Sequence, residues 1–208
     1  MQKSLTFIFC FWMGLGFSQK LVSYDRIGEN SLDNINATYG FPIFRNGVEF
    51  YKITYETPDV QGVLDTASGL VVVPDQFDKS YPLLCYQHGT IGQKDDVPSN
   101  LRGGYQLAEV WSALGYVVCA PDLLGLGDSR GFHPYVHAET EASAALDMMR
   151  AVNELLPQID RNINEQVFVT GYSQGGHAAA ALHREIQENQ SNEFIVTASA
   201  PMLSLIHI

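Results

Sequence analysis

Basic residues are scarce in this chain. Lys and Arg number 12 against 23 Asp and Glu, a formal net charge of −11 over 208 residues. With no basic cluster to offset that charge, the chain repels nucleic acid and anionic membranes, and neither is expected as a partner. Charged residues make up only 17% and hydrophobic ones 46%, which suits a folded domain and excludes a disordered one. Long apolar runs are also lacking. The longest, residues 5–17 after Lys3, is broken by Thr6 and small residues and falls short of the roughly 20 needed to span a bilayer. It reads as a secretory signal. Gly16-Phe17-Ser18 puts small residues at the positions signal peptidase inspects, so cleavage is expected before Gln19, with no stable membrane insertion afterwards. Phe7-Ile8-Phe9 ahead of Cys10 lacks the small residues of lipoprotein processing. Losing residues 1–18 removes Lys3 as the only charged side chain and moves the balance from −11 to −12.

Cysteine is sparse as well. Of three, Cys10 falls in the leader, while Cys85 and Cys119 sit in apolar, strand-like runs at residues 82–86 and 116–120. Packed thiols are the ordinary reading of such a pair, and export leaves a disulfide open. Phosphate cradles are missing. Gly125, Gly127 and Gly131 do not make G-x-G-x-x-G, and no Gly-Lys-Ser/Thr occurs, so no nucleotide site is expected. His133 and His137 stand four apart, but no cysteine or third histidine lies near them. Pro134 reads as the first helical turn, which leaves His133 outside the helix, so no metal site is expected. There are no internal repeats and no low-complexity linker.

Residues 19–47 read as a polar extension with turn residues and one short helix candidate at 31–38. Asn36-Ala37-Thr38 within it fits the short and common glycosylation sequon. Strands are expected at 48–56, 62–73, 83–87, 116–120, 167–170 and 194–200. Helices are expected at 106–114, from 138 onward, and at 177–186. In the second of these, Ala142, Ala145, Leu146, Met149 and Val152 recur at helical spacing. Two early strands followed by alternating strand and helix predict an α/β fold with a mainly parallel sheet covered on both faces.

The feature that carries chemistry is Gly171-Tyr172-Ser173-Gln174-Gly175-Gly176, lying between the apolar run Val167-Phe168-Val169-Thr170 and an Ala-rich helix. G-x-S-x-G in a strand–turn–helix setting has a mechanism. The turn is sharp enough to strain the serine and lift its hydroxyl above the sheet, and Gly171 and Gly175 are needed where a Cβ would collide. The helix start places N–H groups and a positive dipole end beside Ser173. Acyl transfer also needs donors for the oxyanion. Gln174 N–H is the first candidate, and Thr90 N–H, reached through the close-packing Gly89 after the strand at 83–87, is the second. His88 is assigned to support of that loop rather than to proton transfer, and Asp122 to fixing the loop after the strand at 116–120. His177 and His183 ride the helix behind Ser173 and read as packing or surface residues.

Residues 171–177, the Gln87-His88-Gly89-Thr90 loop, and Asp122…Gly125-Leu126-Gly127-Asp128-Ser129…His133-Pro134-Tyr135 together resemble the α/β-hydrolase superfamily, and within it the secretory lipase and esterase group. The resemblance covers residues 48–202. It implies a Ser–His–Asp triad, a small-molecule or lipid ester substrate and no cofactor. In this fold the acid and then the histidine follow the serine. Only 35 residues follow Ser173 (208 − 173), enough for one helix and one strand. Glu185, Glu188 and Glu193 lie on or just past that helix, and His207 is the single histidine beyond it. Base and acid are therefore expected outside this sequence. Leu203-Ser204-Leu205-Ile206-His207-Ile208 is what CTG TCT CTT ATA CAC ATC encodes, the transposase end used in DNA-library preparation. Residues 203–208 are thus read as a non-native tail. Two alternatives stay open: a serine peptidase of the prolyl-oligopeptidase kind, and an inert or binding-only fragment.

Overall fold

The computed structural model describes residues 19–204. The leader expected at residues 1–18 and most of the tail, residues 205–208, lie outside it. The described strands are β1 (Leu21–Asn30), β2 (Val48–Pro58), β3 (Leu64–Pro74), β4 (Ser80–Gln87), β5 (Val117–Pro121), β6 (Asn162–Tyr172) and β7 (Val196–Met202). The helices are α1 (Leu32–Tyr39), α2 (Tyr105–Ala113), α3 (Ala138–Leu155) and α4 (Gln174–Asn189). All strands join one sheet in the order β1-β2-β3-β5-β4-β6-β7. The first three are antiparallel, β3 is antiparallel to β5, and β5, β4, β6 and β7 run parallel. The carboxyl ends of β4, β5 and β6 consequently lie on one side. β4 sits between its two parallel partners, the place where an open α/β sheet forms a crevice.

The central strands are apolar on both faces because both faces are covered. In β4, Leu83 and Cys85 point into a core shared with Met148, Met149 and Val152 of α3 and Leu182 and Ile186 of α4. Leu84 and Tyr86 point the other way, into a smaller core with Ile35 of α1 and Ala108 and Ala113 of α2. Burying each of Leu182 and Ile186 stabilises the α4 contact by about 1.5–3 kcal/mol, which seats α4 firmly behind the serine. Cys85 lies opposite Cys119 across β4 and β5. Both are free and fully buried. The hydrogen bond to Cys85 and then burial push the Cys119 thiol well above its ordinary range, so Cys119 is a packed thiol, not a reactive thiolate.

One element departs from the polar extension read at 19–47. The segment contains β1, antiparallel to β2. Its pattern hid it, since Leu21 is its only buried residue. Backbone pairing and charge hold it instead of an apolar face. The Glu154 carboxylate of α3 accepts from the N–H groups of Lys20 at 2.9 Å and Leu21 at 3.0 Å, and Lys20 Nζ lies 3.1 Å from Asp147. The helix expected at 31–38 is α1, capped by the Ser31 hydroxyl, which accepts from Asn34 N, and ended by Gly40 at φ 70°. No described helix is long and apolar enough to cross a membrane.

Candidate active site

Ser173 stands between the end of β6 and the first turn of α4, at φ 58° and ψ −118°. Other positive-φ residues, such as Leu101 (54°, 46°) and Asp160 (53°, 44°), are ordinary left-handed turn ends. Ser173 differs in ψ, and a non-glycine residue there is strained. The turn is fixed from several sides. Ser173 N donates to Met202 O at 2.9 Å, and Ser173 O accepts from Gly176 N at 2.9 Å. A Cβ on Gly171 would overlap Gly175 O and lie 2.9 Å from Gln87 Cβ. A Cβ on Gly175 would overlap Gln87 O and lie 2.6 Å from His88 O. The glycines flanking the serine are therefore a packing requirement between α4, β6 and the end of β4. Ser173 itself is half-buried.

The loop after β4 reaches the same point. A Cβ on Gly89 would stand 3.4 Å from Tyr172 O and 4.0 Å from Ser173 Cβ. Covalent geometry then keeps Thr90 N within about 9 Å of Ser173 Oγ. Thr90 is exposed, and its hydroxyl lies 2.8 Å from the Tyr135 hydroxyl. His88 is fully buried, with Nδ1 2.7 Å from Gly89 O and Nε2 3.1 Å from Asp122 O. Both ring nitrogens thus face backbone carbonyl oxygens, and neither is bonded to Ser173. That geometry ties the loop after β4 to the loop after β5.

Asp122 anchors the second loop. It accepts from the Ser68 hydroxyl at 2.6 Å and from Ser99 N at 3.0 Å, while its own N–H donates to Ser68 O. Burial raises its carboxyl above the ordinary aspartate range, against those hydrogen bonds and His88. Gly127 packs on it at φ 54°, where a Cβ would lie 2.5 Å from Asp122 Oδ2.

Pro134 does not begin the helix after this loop. His137 N donates to Pro134 O, and α3 starts four residues later, at Ala138 with His137 as its N-cap. Both His133 and His137 are therefore outside the helix. His133 turns back into the site instead. Its Nδ1 donates to Leu124 O at 2.8 Å, and its Nε2 accepts from Gln174 Nε2 at 2.6 Å. Gln174, fully buried, also donates to Glu141 Oε1 at 3.0 Å. Glu141 Oε2 in turn accepts from His177 Nδ1 at 2.6 Å. His177 is thus not a plain packing residue but a partner of a buried carboxylate. His183 does pack, with Nδ1 2.7 Å from Ser199 Oγ of β7. Among the described residues, no group of three or more His, Cys, Asp or Glu side chains is placed to hold a metal ion.

Neither a family model nor a curated protein matches the chain. Solved structures do. The rice cell wall degrading esterase LipA from Xanthomonas oryzae superposes with a TM-score of 0.82 at 34% identity, over 88% of this chain and 50% of that one. A Legionella pneumophila protein provisionally classed as a hydrolase gives 0.80 at 33%, over 87% and 51%. Candida antarctica lipase A gives 0.56 at 16%, over 86% and 41%, a likeness of fold alone. The chain spans about half the length of the first two. Its fold is the α/β-hydrolase fold, with a mostly parallel sheet, helices on both faces and a serine at the sharp turn after β6.

Proposed function

We propose that the intact protein is an exported serine hydrolase that cleaves carboxylic esters, with Ser173 as nucleophile. The observation that carries this reading is the Ser173 backbone, strained at φ 58° and ψ −118° at the carboxyl end of a parallel strand. Gly89 of the neighbouring loop packs against it. Strain of about 1–3 kcal/mol persists only where the surroundings enforce it, and such positions cluster at functional sites. The likeness to an esterase at 34% identity supports the ester as the bond attacked.

In this reading the Ser173 oxygen attacks the acyl carbon while its proton passes to a histidine. The carbonyl oxygen becomes an oxyanion and accepts from the N–H groups of Gln174 and Thr90. The alcohol then leaves with a proton, and water hydrolyses the acyl-enzyme. His88, Gly89, Gly171, Gly175 and Asp122 support the two loops and the turn, and no cofactor takes part. The histidine and its acid are assigned to residues outside those described. His88, His133, His137, His177 and His183 each have partners other than Ser173. Export rests on residues 1–18, and the substrate is a small-molecule or lipid ester, with no nucleic acid involved and no stable membrane insertion after signal cleavage.

The test is hydrolysis of p-nitrophenyl esters by the full-length product of the gene. Activity is expected, and Ser173→Ala should lower kcat by at least about 10⁴-fold, as loss of a nucleophile does elsewhere. Undiminished hydrolysis by Ser173→Ala would refute the assignment.

A further inference from the structure

The buried carboxylate behind the serine has no role in the reading so far. Glu141 is fully enclosed, with its side chain 1% exposed, and no Lys or Arg among the described residues pairs with it. Its partners are two donors on the first turn of α4: Gln174, the residue after the serine, and His177, one turn on. The Gln174 amide is gripped from both sides. One hydrogen goes to Glu141 Oε1 at 3.0 Å and the other to His133 Nε2 at 2.6 Å. The His133 tautomer is set by its Nδ1–H, which donates to Leu124 O. Turning the Gln174 amide over would press its oxygen against a carboxylate oxygen and an imidazole lone pair, three acceptors together. A single orientation is left, even though it strands Gln174 Oε1 without a partner among the described residues.

We propose that Glu141 and His133 are positioning residues that lock the Gln174 side chain so that its backbone N–H stays aimed at the oxyanion. This role rests on the reading of Ser173 as nucleophile. Gln174 carries both groups on one residue. Fixing its side chain between α3 and the loop after β5 fixes the peptide that follows the strained serine. An oxyanion donor must meet its target at roughly 3 Å, and preorganisation is what makes that contact effective. His177 completes the clamp by filling the second oxygen of Glu141, so the carboxylate is held by neighbours of the serine on both oxygens.

The plain alternative is that the network merely pins α3 to α4. The two roles separate in steady-state kinetics of the full-length product. Glu141→Leu is expected to lower kcat for p-nitrophenyl acetate about 10- to 100-fold, the range for a misplaced catalytic group. KM should stay within about twofold, because the acetyl ester gains little from the site before attack. Affinity for phenylboronic acid, which forms a tetrahedral adduct on the serine, should weaken by the same factor as kcat. Glu141→Gln keeps an acceptor for Gln174 and donates to His177 in its other tautomer, so it should restore kcat to within about threefold of the parent. Unchanged kcat in Glu141→Leu, or a fall in kcat with boronate affinity intact, overturns the proposal. If Glu141→Leu does not fold, His133→Phe carries the same test, since it keeps a ring and removes the acceptor. A matched fall of about tenfold in kcat and boronate affinity is expected there, and parental values overturn the proposal. Ser173→Ala separates the two readings. An active Ser173→Ala removes the nucleophile and this role with it, whereas an inactive one beside a fully active Glu141→Leu removes the role alone.

Discussion

Ser173 occupies its strained conformation because four neighbours leave it no other: Met202 O, Gly176 N, and the two glycines whose hydrogens replace a Cβ. Asp122 supports the same crevice at a different cost. Its carboxyl is fully buried, and burial outweighs the donors from Ser68 and Ser99 and the field of His88, so it is raised above the ordinary aspartate range. The sign of the linkage follows. A group whose folded pKa exceeds its unfolded value contributes most below the unfolded value, about pH 4, and loses that contribution as pH rises through the folded one. An asparagine side chain does not titrate and has no such dependence. The stability advantage of the parent over Asp122→Asn should therefore be largest near pH 4 and shrink toward neutral pH. The loss should be about 1.4 kcal/mol for each pH unit that separates the folded and unfolded pKa. Urea unfolding of both proteins across pH 4–8 checks this. A gap that widens with pH would show the carboxyl to be stabilised as an anion, and a constant gap would show that folding does not shift it; either outcome refutes the prediction.

The turn between β6 and α4 is the element that sequence discloses best, because its demands are local. Small residues at 171 and 175 answer to contacts with Gln87 and with each other, and a glycine pattern records them directly. Gly175→Val should cost about 3–5 kcal/mol or prevent folding, since backbone oxygens of Gln87 and His88 cannot move aside cheaply. Gly92→Val, with open space around it, should cost no more than about 0.5 kcal/mol. Denaturant melts of the two variants make the comparison, and equal effects would remove the packing argument. The strands from β2 to β6 and the helices among them were legible for a related reason, as their apolar residues match the faces they bury. β1 was not, because a strand held by backbone pairing and by Glu154 leaves no apolar period to read. Glu141 was missed although a trace of it exists. It stands four residues before Ala145 and eight before Met149, on the stripe that α3 buries, and a carboxylate at such a position needs buried donors. Those donors come from residues 33 and 36 positions later in the chain, which no local pattern connects. Pro134 misled in the opposite way. It fits a first helical turn, but its carbonyl accepts from His137 N, and Tyr135 N donates to His133 O, in a loop that precedes α3.

Taken whole, the described residues bring Ser173 and the loops after β4 and β5 together at one end of the sheet. Among the described residues β7 pairs with β6 alone. Beside it runs an apolar groove of about 240 Å³, with Trp111, Tyr116, Phe168, Ala198, Ala200 and Met202 among its lining residues. A solvent-facing strand edge next to apolar surface favours self-association. The 208-residue chain should therefore show concentration-dependent oligomers in light scattering, reduced by Ala198→Lys with Ala200→Lys, and a monomer at all concentrations would count against this. Reactivity depends on what stands beside Ser173. A serine hydroxyl becomes a nucleophile only when a base within about 3 Å, itself oriented by a third group, takes its proton. His88 faces two carbonyl oxygens, His133 spends its lone pair on Gln174, and His177 is bound to Glu141. His137 and His183 are engaged by Thr140 and Ser199. With no base beside it among the described residues, Ser173 retains strain and candidate oxyanion donors but not activation. The 208-residue chain should react with a fluorophosphonate at least about 10⁴-fold more slowly than the full-length product, which should label at Ser173. Comparable labelling of the two, abolished by His88→Ala, would make His88 the base and overturn its assignment to the loop.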